Sequence, residues 1–229
     1  MDKLNIRLKT AASFIKKGSV VADIGCDHAY LPIFLIKNNI ASRVIAADIN
    51  EGPCEKAREN IRKNSLSKVI KVIRTDGLKG IDEFSPDTVV ICGMGGDLIT
   101  RIVGNSPYTR ESCPMLILQP QTKQSSLREY LLSSGYRIID EAICEDDRLY
   151  EIIVAKYDGI KREWNEVELL LGKRNIENKV PLFDMHITKI LNQYMTVVNG
   201  KKKAGLDTSY EENIIEELEK LKNDGNRII

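Results

Sequence analysis

One short stretch of this chain, ADIGCDHAYLP at residues 22–32, sets Asp23, Gly25, Asp27 and His28 just after a run of apolar, strand-forming residues. A glycine there lets the backbone approach a ligand closely, because it has no Cβ. The carboxylates select what that ligand can be. A dinucleotide loop reads G-x-G-x-x-G, so that a pyrophosphate can reach N–H groups at a helix N-terminus. Here Asp27 would repel a pyrophosphate, and Tyr30 obstructs the place of the third glycine. The pattern argues against a nicotinamide dinucleotide and the oxidoreductase it would serve. It suits a phosphate-free, cationic nucleoside such as S-adenosylmethionine (SAM).

Similar residues recur further on, each after an apolar run: Asp48 with Ile49, then Asp76-Gly77, then Gly93-Met94-Gly95-Gly96, then Gln119-Pro120. Asp48 lies about 20 residues beyond Gly25, the spacing expected of an acid that accepts hydrogen bonds from a ribose diol. Asp76-Gly77 fits a turn beside an adenine ring. Taken singly, Asp48 is also a helix cap and Asp76 a turn former. Together with Gly25 they mark a ligand crevice, since open parallel sheets bind ligands beyond the carboxyl ends of their strands.

The elements that must hold these residues follow from apolar periodicity. Residues 4–15 read as an amphipathic helix ended by Gly18. Strands are expected at 20–24, 44–47, 69–74, 88–92, 115–118, 136–142 and 150–157, with helices at 30–38, 53–64, 95–103 and 125–134. Continuously apolar strands alternating with helices imply a parallel sheet covered on both faces. The last two strands have only the turn 145–147 between them and predict an antiparallel edge hairpin. The fold class is α/β, the seven-stranded Rossmann-like sheet of class I SAM methyltransferases. Composition changes near residue 160, dividing a domain of residues 1–159 from an appendage of residues 160–229. A helix at 163–171 precedes two apolar stripes that predict a helical hairpin or short coiled coil, interrupted by the Gly- and Lys-rich run 199–205.

Bulk properties narrow the partners. Net charge is +1, so no overall field recruits a polyanion, although a local basic face still can. Five cysteines lack any C-x-x-C pair, and His28 and His186 are the only histidines, which argues for reduced thiols and against a metal site. No signal-like start or membrane-length apolar run is present, so a cytoplasmic protein without membrane contact, a monomer or weak dimer, is expected.

The motifs ADIGCDHAYLP, TDGL, ICGMGG, ILQPQ and LYEIIVA, in this order across about residues 4–157, resemble the bacterial tRNA (adenine-22-N1)-methyltransferase family, often called TrmK. The resemblance implies methyl transfer from SAM to N1 of an adenine in the D-loop region of tRNA. It also implies a functionally important acid at Asp27, a basic residue at Arg7 and a helical C-terminal extension. Enzymes that methylate the exocyclic amine of adenine commonly carry an N/D-P-P-Y tetrapeptide after the fourth strand. Gly93-Met94-Gly95-Gly96 stands there instead, with no acceptor side chain. Ring N1 already has a lone pair, so it needs alignment and relief of the developing positive charge, work that suits Asp27. Helix capping is the simpler use of Asp27, and a solvated helix face the simpler use of Arg7.

Gly93 completes the expected cofactor set of Asp23, Gly25, His28, Asp48, Ile49, Asp76 and Gly77. Tyr30, Met94, Gly95, Gln119 and Lys9 are candidates for the base or the RNA. Lys3, Arg7, Lys9, Lys16, Lys17 and Lys201-Lys202-Lys203 are candidate phosphate contacts. A methyltransferase fold acting on another RNA or a small molecule, or one that binds SAM without catalysis, is the alternative reading.

Overall fold

The computed structural model describes residues 4–225. Seven strands, β1 (Ser19–Ile24), β2 (Ala41–Asp48), β3 (Ile70–Arg74), β4 (Thr88–Met94), β5 (Met115–Pro120), β6 (Tyr136–Glu145) and β7 (Leu149–Tyr157), form one sheet in the order β3-β2-β1-β4-β5-β7-β6. The first five strands are parallel. β7 lies antiparallel between β5 and β6, closing the expected hairpin. Strand order reverses between β1 and β4, which is where an open sheet leaves a crevice.

Alternation along the strands splits the core in two. Val21, Val90 and Ile117 join one cluster with α1 (Ile6–Ser13), α2 (Tyr30–Lys37) and α3 (Glu51–Lys63). Ala22, Val89, Ile91, Leu116 and Leu118 join another with α4 (Gly96–Gly104) and α6 (Gln124–Ser133). Each fully buried aliphatic side chain stabilises the fold by about 1.5–3 kcal/mol, so these two layers hold the sheet. The first helix is shorter than its periodicity suggests. Asn5 caps it by accepting from Leu8 N at 2.9 Å, which leaves Leu4 and Ile15 as apolar packing outside its ends.

Three short elements escape sequence periodicity: a 3₁₀ turn at Asp82–Phe84, α5 (Tyr108–Glu111) and α8 (Lys173–Asn178). α7 (Glu166–Leu171) starts later than expected, at an Asn165–Glu168 capping box. α9 (Phe183–Lys203) then runs through the expected break at Gly200 to Ala204, and α10 (Ser209–Gly225) returns along it. Lys201 pairs with Glu211 at 2.6 Å and Lys202 with Glu212 at 2.7 Å, so contacts across the turn support the helix end. A lone glycine costs a helix only about 1 kcal/mol, which such contacts and the α9–α10 packing offset.

Residues 158–165 form no helix or strand, yet the packing beyond them is continuous with the sheet. The third apolar cluster combines Ile143 and Leu149 of the edge hairpin with Val167, Phe183, Ile187 and Leu218. Beneath it Arg128 of α6 is almost fully buried, bonded through Nε to Glu141 Oε1 at 2.8 Å and through a terminal nitrogen to Glu151. Its other terminal nitrogen donates to Leu169 O at 2.9 Å, Arg174 N donates to Glu141 Oε2 at 3.0 Å, and His186 Nε2 lies 3.6 Å from Glu151. This buried charge cluster joins the sheet edge to the appended helices.

Candidate active site

Parallel register brings the singled-out residues to one edge of the sheet. Ile24 pairs with Ala47 and Ile91, Asp48 with Arg74, and Cys92 with Gln119, so these strands end level. The turn after β1 crosses the end of β2, with Gly25 N and Cys26 N both donating to Ala47 O at 2.8 and 3.0 Å. Gly25 has φ +79°, and a Cβ there would sit 2.4 Å from the Met94 methyl. Its conformation favours glycine, while the Met94 methyl, at the end of a flexible side chain, could give way.

Asp23 is buried on the α1–α3 face and makes no ion pair among the described residues. Burial first, and the Asp48 charge second, push its carboxyl up to about 7. Burial, reinforced by the Asp23 charge, also drives the Cys26 and Cys92 thiols well above their usual range, so neither is a ready nucleophile. An uncompensated buried carboxylate in a crevice is a place for a cation. The ammonium and sulfonium of SAM fit it, and no Lys or Arg stands in the Gly25 turn to receive a pyrophosphate.

A pH dependence follows. The folded state holds the Asp23 proton more tightly than the unfolded state, so stability from this group is greatest below pH 4 and is lost as pH rises toward 7. Asp23→Asn should remove that slope, measured as Tm against pH from 5 to 8 without cofactor. Binding of a cationic cofactor needs the ionised form, so wild-type affinity should fall by up to about tenfold per unit below pH 7.

Asp48 accepts a hydrogen bond from Asn50 N at 2.9 Å through one carboxylate oxygen. It does not cap α3, whose N-cap position is Asn50. Ile49, Asp76 and Gly77 line a single groove with Leu78, Arg101 and Ile102. Three of the residues expected around a nucleoside thus share one groove.

Asp27 (φ +45°) and Ala29 (φ +59°) both adopt the left-handed conformation, which costs a non-glycine residue about 1–2 kcal/mol. Such strain concentrates at functional turns. Ala29 occupies the N-cap position of α2 and no side chain caps that helix, so capping does not explain Asp27. The Asp27 side chain is 71% exposed and lies 3.5 Å from His28 Nε2. His28 stacks on Tyr30 with ring centroids 5.3 Å apart and planes 18° apart, and Tyr30 is exposed. The turn therefore presents an acid beside an aromatic pair at the mouth of the crevice.

From the other side, α1 brings Arg7 over the end of β4. A Cβ on Gly93 would lie 3.2 Å from its guanidinium. Arg7 donates to Gln119 Oε1, which also accepts from Gly93 N at 3.0 Å, while Gln119 Nε2 donates to Pro120 O at 2.9 Å. Gly95 and Gly96 bring α4 against the loop after β5. A Cβ at Gly96 would stand 2.5 Å from the Lys123 backbone oxygen. Gly96→Ala should cost about 1–3 kcal/mol through overpacking. Differential scanning calorimetry should show a Tm lower by about 2–4 °C per kcal/mol.

Lys9 is exposed and sits two positions past Arg7, so helical geometry turns it away from the crevice. Lys201 and Lys202 are neutralised by Glu211 and Glu212, leaving only Lys203 of that run without an ion pair among the described residues. Lys16 and Lys17 are exposed, and Lys3 lies outside the described residues. Among the described residues no group of three His, Cys, Asp or Glu could hold a metal, and no helix is long and apolar enough to cross a membrane. Sequence reading missed Tyr150, which lies under Arg7, because no local pattern links a strand tyrosine to a helix over a hundred residues earlier.

Comparison with known proteins shows the family of this chain. Residues 4–153 match the family described as Methyltransferase domain. The tRNA (adenine(22)-N(1))-methyltransferase of Bacillus subtilis is 35% identical over 94% of this chain and 92% of its own length. The crystal structure of the B. subtilis m1A22 tRNA methyltransferase TrmK superposes with a TM-score of 0.79 at 34% identity, covering 96% of each chain. A Streptococcus pneumoniae putative tRNA (m1A22) methyltransferase in complex with S-adenosyl-L-methionine gives 0.84 at 27% identity, covering 96% of this chain and 100% of the other.

Proposed function

Because this chain belongs to the tRNA (adenine(22)-N(1))-methyltransferase family, we infer that its crevice brings SAM to adenine 22 of a bacterial tRNA. The enzyme is a SAM-dependent methyltransferase, and its product is N1-methyladenine within the D-loop region. The observation that carries the assignment of roles is the exposed carboxylate of Asp27, held in a left-handed turn directly after a buried, cation-seeking Asp23.

SAM, when bound, supplies a methyl group made electrophilic by the sulfonium. Asp23 would attract its cationic end, Gly25 and Gly93 would form the tight turns beside it, and His28 would hold the first of them. Asp48, with one oxygen left by Asn50, would accept from the ribose hydroxyls, while Asp76, Gly77 and Ile49 would border the adenine. Ring N1 of the target attacks with its own lone pair, so no side chain has to remove a proton first. The base instead gains positive charge, and Asp27 aligns it, accepts from its exocyclic amine and stabilises that charge. Arg7 stands on the far side of the crevice mouth, fixed to Gln119, to engage the RNA. Tyr30 offers a face for the unstacked base, beside Met94 and Gly95. Residues 1–159 carry this chemistry, and residues 160–229 are an accessory helical unit. One copy of the chain contains every residue named.

The test is nucleoside analysis of unmodified tRNA incubated with the protein and SAM. We expect 1-methyladenosine from wild-type tRNA and none from a tRNA in which adenine 22 is replaced. No product from a competent tRNA would overturn the reading.

A further inference from the structure

Resting on the assignment of Arg7 to the RNA substrate, we propose that Tyr150 is the positioning residue for Arg7. The Arg7 guanidinium carbon lies 5.5 Å from the centre of the Tyr150 ring, within cation–π range, and Arg148 approaches the same ring at 5.0 Å. Tyr150 itself is buried on β7, and its hydroxyl donates to Asp147 Oδ1 at 2.7 Å. That hydrogen bond, with smaller help from Arg148 and Arg7, holds the Asp147 carboxyl below its usual range.

What matters is what Arg7 lacks. Among the described residues no carboxylate lies within ion-pair distance of it. Its restraints are neutral: the Gln119 amide oxygen and the face of Tyr150. Arginine loses considerable rotamer freedom when it is held in one pose. A carboxylate could impose that pose only by cancelling the charge an RNA phosphate or base must meet. An aromatic face orients the guanidinium and leaves its formal charge in place. The hairpin of β6 and β7 thereby reaches the crevice without contributing a residue to its mouth.

The experiment compares Tyr150→Phe and Tyr150→Leu, each with and without Arg7→Ala, in the full-length protein; Tyr150→Met replaces the Leu variant should that one fail to fold. Readouts are kcat and KM for tRNA, SAM affinity, Tm, and the ring-current shift of the Arg7 Nε–H proton in NMR spectra. We expect Tyr150→Phe to behave as wild type and Tyr150→Leu to lower kcat about tenfold with SAM affinity unchanged. That loss should vanish in the Arg7→Ala background, because a residue acting through Arg7 has nothing left to position. The shifted Nε–H signal should survive in the Phe variant and disappear in the Leu variant. An equal loss with and without Arg7, a Phe variant as impaired as Leu, or an unshifted Nε–H in wild type would each overturn the proposal. A wild-type protein that forms no 1-methyladenosine but shows the shifted signal would instead overturn the functional reading alone.

Discussion

Asp27→Asn lowers kcat for tRNA methylation by about 10²–10⁴ while SAM affinity stays unchanged, measured by single-turnover kinetics and by calorimetric titration of the cofactor. Asparagine is the informative replacement. Asp27 sits at φ +45°, a conformation that asparagine tolerates and that alanine adopts only at a cost. The Asn variant keeps the turn and an oxygen able to accept a hydrogen bond, so any loss reports the missing negative charge. Asp27→Ala should lose at least as much turnover and a little stability besides. Because the Asp27 side chain is 71% exposed in the free protein, its removal leaves no cavity and no unpaired buried partner. Normal turnover by the Asn variant would mean that alignment by neighbouring groups suffices and that charge at Asp27 does not serve the reaction.

The second large effect concerns stability. Arg128→Met should destabilise the protein by about 3–5 kcal/mol, because it leaves two buried carboxylates facing each other without a cation. Glu141 already feels this tension: burial raises its carboxyl above the usual range, and Arg128, helped by the Arg174 amide, opposes the rise. A Tm lower by roughly 6–20 °C is expected from calorimetry. The triple variant Arg128→Met, Glu141→Leu, Glu151→Leu should recover much of that loss, since replacing a whole buried ion cluster by apolar residues is often neutral or stabilising. A single variant as stable as wild type would show that water or relaxation already compensates the carboxylates.

Much of the fold was legible before any coordinates, for a physical reason. Strands buried on both faces must be apolar throughout, so runs such as 88–92 and 115–118 declare themselves, and the residues just after them stand at the ligand edge. Asp23, Gly25, Asp48, Asp76 and Gly93 were singled out this way, and they stand at or just after the ends of β1, β2, β3 and β4. The rest was hidden because tertiary contacts decide it. Nothing local says that Ala29 and Asp27 take left-handed conformations, since the usual marker for that is glycine. Arg128 on α6 is buried, because partners from β6, β7 and α7 meet it. The run at Gly200 looks like a break and is helix, because Glu211 and Glu212 return beside its lysines.

The placement of Arg128 also bears on the order in which the chain can mature as it leaves the ribosome. Domains are made N-terminal part first, and parallel strands wait for distant neighbours. β5 gains its second neighbour only when β7 arrives, and Arg128 gains its full set of partners only when the Leu169 carbonyl, the Arg174 amide and His186 have followed. Until then the nascent protein holds a charged group at a half-closed interior edge. The last third of the chain is thus a closing act of folding, and a ribosome stalled before it would hold a crevice whose supporting sheet has not yet sealed.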